Sequence, residues 1–468
     1  MSTRSVVGLA YGAILFFVIL PMVATHYHLY ADGSYFLAKL LETGQFVNLS
    51  LKARFFHHLV TQSPVLIART VGVLDTRALS WTYGLALLCF PWAFYLSAAV
   101  LFLNAGMTRH ALLVTIAYVI LFCLTGIFAA HEANLGTALF VLSLAVMTRG
   151  KPCAGRSFLG LLAICAAGLS CYEYWAAFFP VVFVVFLQST HRLAPTRLRS
   201  AMRLTLGIFC VGGSVWNVIA IAFTTAPATR NALLGSDLRL TWPLVAGTCV
   251  LFAALCGVSG IYSLDRVPLL HGRLRDIIVS KLHRLLSGEK IPTFLAALVL
   301  AVSPVIYLPG IVEPSQSYAL RSLNLFIPLM LAASLYLAVA SRGHGESPGS
   351  PLRDRVLQYC LIGLLALTVQ SHLYHTVGWL GFRHRLVQAT QLETGYVPQG
   401  ELRYFDGSYG WGWTYPTMSI LFAAIEGKPI KAIVFNPNAS WQPFGPSAAQ
   451  DAKNLAAALR VPFEVQVR

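Results

Sequence analysis

Residues 158–189 read FLGLLAICAAGLSCYEYWAAFFPVVFVVFLQS, and the fold turns on how these 32 residues are divided. The run carries one charged residue, Glu173, near its middle. As a single straight helix it would be about 48 Å long, against a bilayer hydrocarbon core of about 30 Å. A lone acid inside a long apolar run is also costly unless it is paired or wet. Both difficulties disappear if the chain turns at Cys171-Tyr-Glu-Tyr174 and forms two helices, near 158–171 and 174–189. One long buried helix is the alternative, and it would invert the orientation of everything downstream.

The rest of the chain has the same character. It is 57% hydrophobic and only 11% charged, with a mean hydropathy of +0.67. Soluble domains carry about 25% charged residues. A deficit spread along the whole chain predicts an all-α polytopic membrane protein, because lipid leaves backbone groups no partners except one another. Length and lack of charge predict about eleven spans, near 6–26, 83–104, 111–130, 133–148, 158–171, 174–189, 204–224, 242–261, 292–312, 323–340 and 357–380. The first run, Val6 to Thr25, is longer than a signal-peptide core and lacks a small-residue cleavage site, so it reads as a retained helix. An excess of Arg over Lys with abundant Ala and Leu suits a GC-rich bacterium.

Basic residues set the orientation. Loops 149–157, 190–203, 262–291 and 341–356 are rich in Arg and Lys. They alternate with connections at 131–132, 172–173, 225–241 and 313–322 that are poor in both. The positive-inside rule places the basic set and the N-terminus in the cytoplasm. The alternation works only if 158–189 crosses twice. The net charge of +16 is therefore read as orientation signal, and nucleic acid is not expected as a partner. Nine cysteines, mostly within apolar runs and without a Cys-x-x-Cys pair, argue against a disulfide framework or a thiolate metal site.

Two segments are long enough to act on the outer, periplasmic side. One is the first outer loop, 27–81, within a transmembrane domain spanning 1–380. In it, Ser34–Thr43 reads as an amphipathic helix with Phe36, Leu37, Leu40 and Leu41 on one side and Lys39 and Glu42 on the other, ended by Gly44. Such a helix suits the membrane interface, as does Ala53–Val60. The other segment is 381–468, where strands at Ile430–Phe435 and Phe463–Val467 and a helix at Ala448–Leu459 predict a small α/β domain.

With this topology the scarce acids gather on one face. Asp32 follows the first span, His131-Glu132 joins spans three and four, and Tyr172-Glu173-Tyr174 joins five and six. Glu313 and Arg321 lie between spans nine and ten. The cores of the spans hold no Asp, Glu, Lys or Arg. Ion-coupled transporters place such groups near the midplane, so chemistry at the outer surface fits better than passage. His372 and His375, toward the outer end of the last span, share a helix face and read as hydrogen-bonded histidines before a metal pair.

This arrangement resembles the GT-C superfamily of membrane glycosyltransferases, which use polyprenyl-phosphate-linked sugars. Asp32, in "YADGSYFLAKLL" from Tyr30, occupies the acidic position at the start of the first outer loop. "YALRSLNLFIPLM" from Tyr318 resembles the Arg-Tyr…Pro pattern of a late helix, with Arg321 and Pro328 matching and no Tyr after the Arg. The acidic motif is a single Asp-Gly-Ser, without the paired acids of some branches.

The resemblance implies a donor sugar on a polyprenyl phosphate, an acceptor glycan, lipid or protein at the bilayer surface, and inversion at the anomeric carbon. Asp32 is the expected general base. Arg321 first, and Arg54 second, would stabilise the donor phosphate. Glu132 and Glu173 would bind acceptor hydroxyls or position Asp32, with Tyr35 and Tyr172 as further substrate contacts. His131 is a candidate ligand for a divalent ion, although many such enzymes need none. Structural roles compete at each position: a cap for Asp32, an interface anchor for Arg321, a dipole charge for Glu132. The rival functions are a lipid-linked glycan polymerase or ligase, and a transporter without catalysis. A second Asp-Gly-Ser-Tyr at Asp406 lies in an aromatic tail segment and reads as a turn repeated by coincidence.

Overall fold

The structure is a computed structural model. It describes residues 2–30, 32–47, 54–122, 133–148, 154–190, 196–224, 246–253, 255–256, 323–341, 351–402, 412–439 and 442–466. Helices dominate, and the only sheet among the described residues has two strands.

Helix α1 (Thr3–Ala24) opens on Ser2, whose hydroxyl accepts from the Ser5 amide at 3.2 Å and satisfies a free N–H of the first turn. A π-helical stretch, Leu15–Ile19, comes just before Pro21. Proline has no N–H to offer the preceding turn, and the widened turn absorbs the missing bond. The chain then turns sharply at His26, which is left-handed at φ 59°, into a 3-10 turn at Tyr27–Leu29.

Helices α2 (Asp32–Thr43) and α3 (Phe55–Thr70) follow. Gly44, at φ +67°, ends α2 as expected, and Arg69 Nη1 donates to the Leu41 carbonyl of the last turn at 2.6 Å. Helix α4 (Thr76–Asn104) is capped by Asp75, which accepts from the Ala78 amide. It runs antiparallel to α1: Ser80 meets His26 beyond the end of α1, and the Trp92 indole donates to the Tyr11 carbonyl. Helices α5 (Thr108–Leu121) and α6 (Ala133–Thr148) pack against α4.

The decisive run forms two helices, α7 (Gly155–Gly168) and α8 (Trp175–Thr190), joined by a turn at 169–174. The single long helix is thereby excluded. Trp175 fixes the turn: its ring lies where a side chain at position 168 would be, so only glycine fits there, and its indole donates to the Gly136 carbonyl at 3.1 Å. Helix α9 (Arg197–Thr224) returns antiparallel to α8, with Arg203 on the Thr190 carbonyl at one end and Ser214 on the Ala176 carbonyl toward the other. Helix α10 (Leu323–Ser341) packs on α6 and α8.

Helix α11 (Pro351–Leu392) is longer than the expected span. Gln358 Nε2 donates to Thr3 Oγ1 at 3.1 Å, and Trp379 Nε1 donates to the Thr25 carbonyl at 3.0 Å. These two contacts hold α1 and α11 parallel for about 32 Å, the thickness of a hydrocarbon core. Residues 358–379 are thus level with α1, and α11 continues without a break past residue 381 to Leu392.

Among the described residues, four helices are long and apolar enough to cross a membrane: Thr3–Ala24, Thr76–Asn104, Arg197–Ala220 and Asp354–Leu392. Shorter apolar helices pack among them. This is the build of a helical membrane protein. The described basic residues of the Arg-rich loops, among them Arg156, Arg197, Arg203 and Arg355, lie at the end opposite Asp32.

Beyond α11, strand β1 (Gly395–Pro398) pairs in parallel with β2 (Ala432–Phe435) through a crossover that contains α12 (Tyr415–Ile425). Ile430 makes a parallel bridge to Phe463, and α13 (Ala449–Ala458) lies between β2 and that bridge. Strand β1 carries no signal that the sequence reading used. The expected strand at Phe463–Val467 is reduced to the bridge among the described residues. Helices α12 and α13 pack on α2, whose Leu37 and Leu40 are completely buried. The apolar side of α2 is covered by protein, although its pattern also suits a membrane interface.

Candidate functional site

Asp32 is the first residue of α2, where the helix dipole favours a negative charge. The following glycine presses this helix end onto the 3-10 turn: a Cβ at Gly33 would run into the His28 carbonyl oxygen. The turn is fixed from the other side by Trp379, whose ring meets Tyr27 edge-on at 5.2 Å and Tyr30 at 5.8 Å. The start of α2 therefore rests on the level where α1 ends.

Below it lies a buried histidine pair. His26 Nδ1 is 2.8 Å, and His28 Nε2 3.1 Å, from the same Ser80 hydroxyl. One hydroxyl can donate to one ring and accept from the other, which suits two neutral imidazoles. Burial pushes His26 down to about 3, helped by His28, Arg383 and Arg77, and burial holds His28 at about 4. The His28 ring packs on Gly84, where a Cβ would come within 2.6 Å of it.

Arg54, Tyr172 and Glu173 are brought together directly. Arg54 Nε donates to Glu173 Oε1 at 2.8 Å, and its guanidinium lies 5.2 Å from the Tyr172 ring centre. The Phe56 amide donates to the Ser170 carbonyl at 2.7 Å, so the start of α3 is stitched to the turn at 169–174. Glu173 Oε2 is buried and makes no hydrogen bond to a described residue. This pairing answers why a lone acid is tolerated in the apolar run. The pairing uses Nε of Arg54, the residue expected as the second cation for the donor phosphate.

Asp32 is at the same end of the bundle. Phe36, one helical turn further on, meets His58 edge-on at 4.9 Å, and His58 lies one turn beyond Arg54. Tyr35 packs against Trp413 at 6.1 Å, and burial pushes its phenol up. His131, Glu132, Glu313, Arg321 and Asp406 lie outside the described residues. Among the described residues, no group of three His, Cys, Asp or Glu is placed to hold a metal ion. His372 Nε2 is 3.0 Å from the Phe122 carbonyl, a hydrogen bond in keeping with the expectation for that residue.

Sequence reading missed three features at this end. Arg383 donates to Glu426 at 3.2 Å and Arg77 to the Ile425 carbonyl at 3.2 Å, both close enough to act electrostatically on His26. Asn324, at the start of α10, is completely buried, and neither polar atom of its side chain bonds to a described residue. The Thr137 hydroxyl donates to its backbone carbonyl at 3.1 Å. The available signal for Asn324 was a single polar residue opening an apolar helix just after Arg321.

No protein-family model, no curated protein and no solved structure matches the chain.

Proposed function

We propose that this chain is a glycosyltransferase of the GT-C type in a bacterial inner membrane, with about eleven spans, a cytoplasmic N-terminus and its Asp32 end facing the periplasm. The observation that carries the reading is the place of Asp32. It opens α2 directly beyond the first apolar helix, on the end that also holds the Arg54–Glu173 pair.

In the reaction the acceptor hydroxyl attacks the anomeric carbon of a sugar linked to polyprenyl phosphate. A carbon–oxygen bond forms to the acceptor, and the bond from the anomeric carbon to the phosphate oxygen breaks. The hydroxyl proton passes to the Asp32 carboxylate, and polyprenyl phosphate leaves with the bonding electron pair. Arg321 is the proposed partner of the developing phosphate charge. Glu173 Oε2 and the Asn324 carboxamide offer hydrogen bonds to sugar hydroxyls.

The test uses the full chain in nanodiscs with a panel of radiolabelled polyprenyl-phosphate sugars and envelope glycan acceptors, reading release of polyprenyl phosphate. Asp32→Asn is expected to lower turnover by at least about 100-fold, the usual scale of general-base loss, with expression unchanged. Asp406→Asn serves as the control. Full turnover in Asp32→Asn overturns the assignment.

A further inference from the structure

The interior of the bundle holds a second polar locus, away from the Asp32 end. Helices α5 and α11 run parallel, tied by Arg109 and Asp354 at 2.9 Å near their starts and by Phe122 and His372 further along. Tyr118 and Thr368 each lie four residues before the second contact, so they stand at the same height. The Tyr118 ring is stacked 5.6 Å from Tyr11 of α1 and lies 4.7 Å from Tyr95 of α4. The register of α1 with α11 puts Tyr11 within a turn of Thr368, about 12 Å along a span of about 32 Å.

Four helices thus place polar groups in one layer. Tyr11, Tyr95, Tyr118, Thr368, Ser371 and His372 are each at most 1% exposed. The four hydroxyls of Tyr95, Tyr118, Thr368 and Ser371, and Nδ1 of His372, make no hydrogen bond to a described residue. The Tyr11 hydroxyl lies beside Thr115, whose own proton goes to the Ala111 carbonyl and whose oxygen is left to accept from the phenol. Buried hydroxyls of Ser and Thr in helices ordinarily bond back to the preceding turn, as Thr115 does. Thr368 and Ser371 do not.

A polar group buried without a partner is costly, and five in one layer of an apolar bundle would add their costs. Ordered water relieves such costs where several polar groups converge, each molecule making about three hydrogen bonds. We propose that this layer is a binding site for a small cluster of ordered water molecules, held by Tyr118, Thr368, Ser371 and His372, with Tyr11 and Tyr95 closing it. The site is a hydrated storey between the Arg109–Asp354 end and the Asp32 end, and it gives the buried Nδ1 of His372 its hydrogen-bond partner. This inference does not depend on the proposed glycosyl transfer.

Radiolytic hydroxyl-radical footprinting of the wild-type chain in nanodiscs tests it, because bound water activated in place labels adjoining side chains that bulk solvent does not reach. Tyr118, Tyr95 and His372 are expected to be oxidised at least tenfold faster than Phe140 and Phe178, which are equally buried in the apolar part of the bundle. Tyr118→Phe and Thr368→Val should each lower the thermal unfolding midpoint, since each removes a partner of bound water. Labelling at the level of Phe140 and Phe178 overturns the proposal. So does a rise in the midpoint of both variants, the result expected when an orphaned hydroxyl is removed from a dry core.

Discussion

Arg54 Nε donates to Glu173 Oε1 at 2.8 Å across 119 residues of chain, with four-fifths of each side chain withdrawn from solvent. The pair joins the start of α3 to the turn that divides α7 from α8. Removing one partner leaves the other charge partly buried and unmatched, which costs more than removing both. Glu173→Ala is expected to destabilise the chain by about 1–3 kcal/mol, with the Arg54→Ala, Glu173→Ala double variant recovering part of the loss. Thermal unfolding of the single and double variants measures the coupling. Simple additivity would show that the pair contributes no net interaction.

Gly33→Ala tests how closely the helix that begins at Asp32 must rest on the turn beneath it. The new methyl group would collide with the His28 carbonyl, a backbone atom that cannot rotate away. Overpacking of this kind costs about 1–3 kcal/mol. The start of α2 must then lift from the 3-10 turn, and hydrogen exchange at 33–36 should speed up while α13 is unaffected. If Asp32 is the base, turnover falls with it. Unchanged exchange would mean that the contact is soft.

The amphipathic helix with its stop at Gly44, the 133–148 helix and the division of 158–189 were legible because each has a local cause. These causes are a helical stripe, a glycine able to take positive φ, and a charge placed where the chain has to turn. What could not be read is long-range. Lys39 bonds to Glu42 at 2.7 Å within its own helix, but also to Asp451 at 3.3 Å and stands 4.7 Å above the Phe444 ring. Nothing local at Lys39 points to partners more than 400 residues away. Helix α11 runs past its expected end for a related reason. Apolar length reports where lipid stops, whereas a helix stops where its backbone bonds stop, and the segment 381–392 is polar yet still helical. Of the candidate site, Arg54, Tyr172 and Glu173 are seen to meet. Their pairing was hidden, because a sequence shows charges but not which charge answers which.

Acid should weaken the chain through its histidine pair. In the folded state His26 is held down to about 3 and His28 to about 4, against about 6.5 when unfolded. Between those values the unfolded chain binds more protons, so stability rises with pH there. Their contribution is complete above about pH 6.5 and is lost as pH falls toward 4 and then 3. Each histidine adds a slope of up to about 1.4 kcal/mol per pH unit. Unfolding midpoints measured from pH 7.5 to 5 should fall on acidification, and His28→Gln should flatten that fall. An equally steep fall in the variant would assign the effect to other groups.

Lys39→Met separates the two attachments of α2. The substitution keeps most of the apolar stem but removes the bonds to Glu42 and Asp451. The ion pairs are partly exposed, so the expected loss is small, about 0.5–1 kcal/mol. High salt should reduce the difference between wild type and variant, because it already screens the pairs in the wild type. A loss that is insensitive to salt would instead point to packing of the stem on Phe444.

Asn324 sets stability against binding. Its side chain is completely buried with no bond to a described residue from either polar atom, and a buried polar group left in that state costs about 1–3 kcal/mol. Asn324→Leu replaces the carboxamide by an apolar group of similar size, and should therefore stabilise the chain or leave it unchanged. A residue kept at such a cost has a use when something else supplies the missing bonds, and under the proposed function that is a sugar hydroxyl. Loss of a hydrogen bond to such a ligand should raise KM for the lipid-linked sugar about tenfold, equivalent to about 1.4 kcal/mol, with kcat little changed. Midpoint and KM should thus move independently in one preparation. A lower midpoint with an unaltered KM would make Asn324 a packing residue, and the hydrogen bonds offered to the sugar at that position would have to come from Glu173 alone.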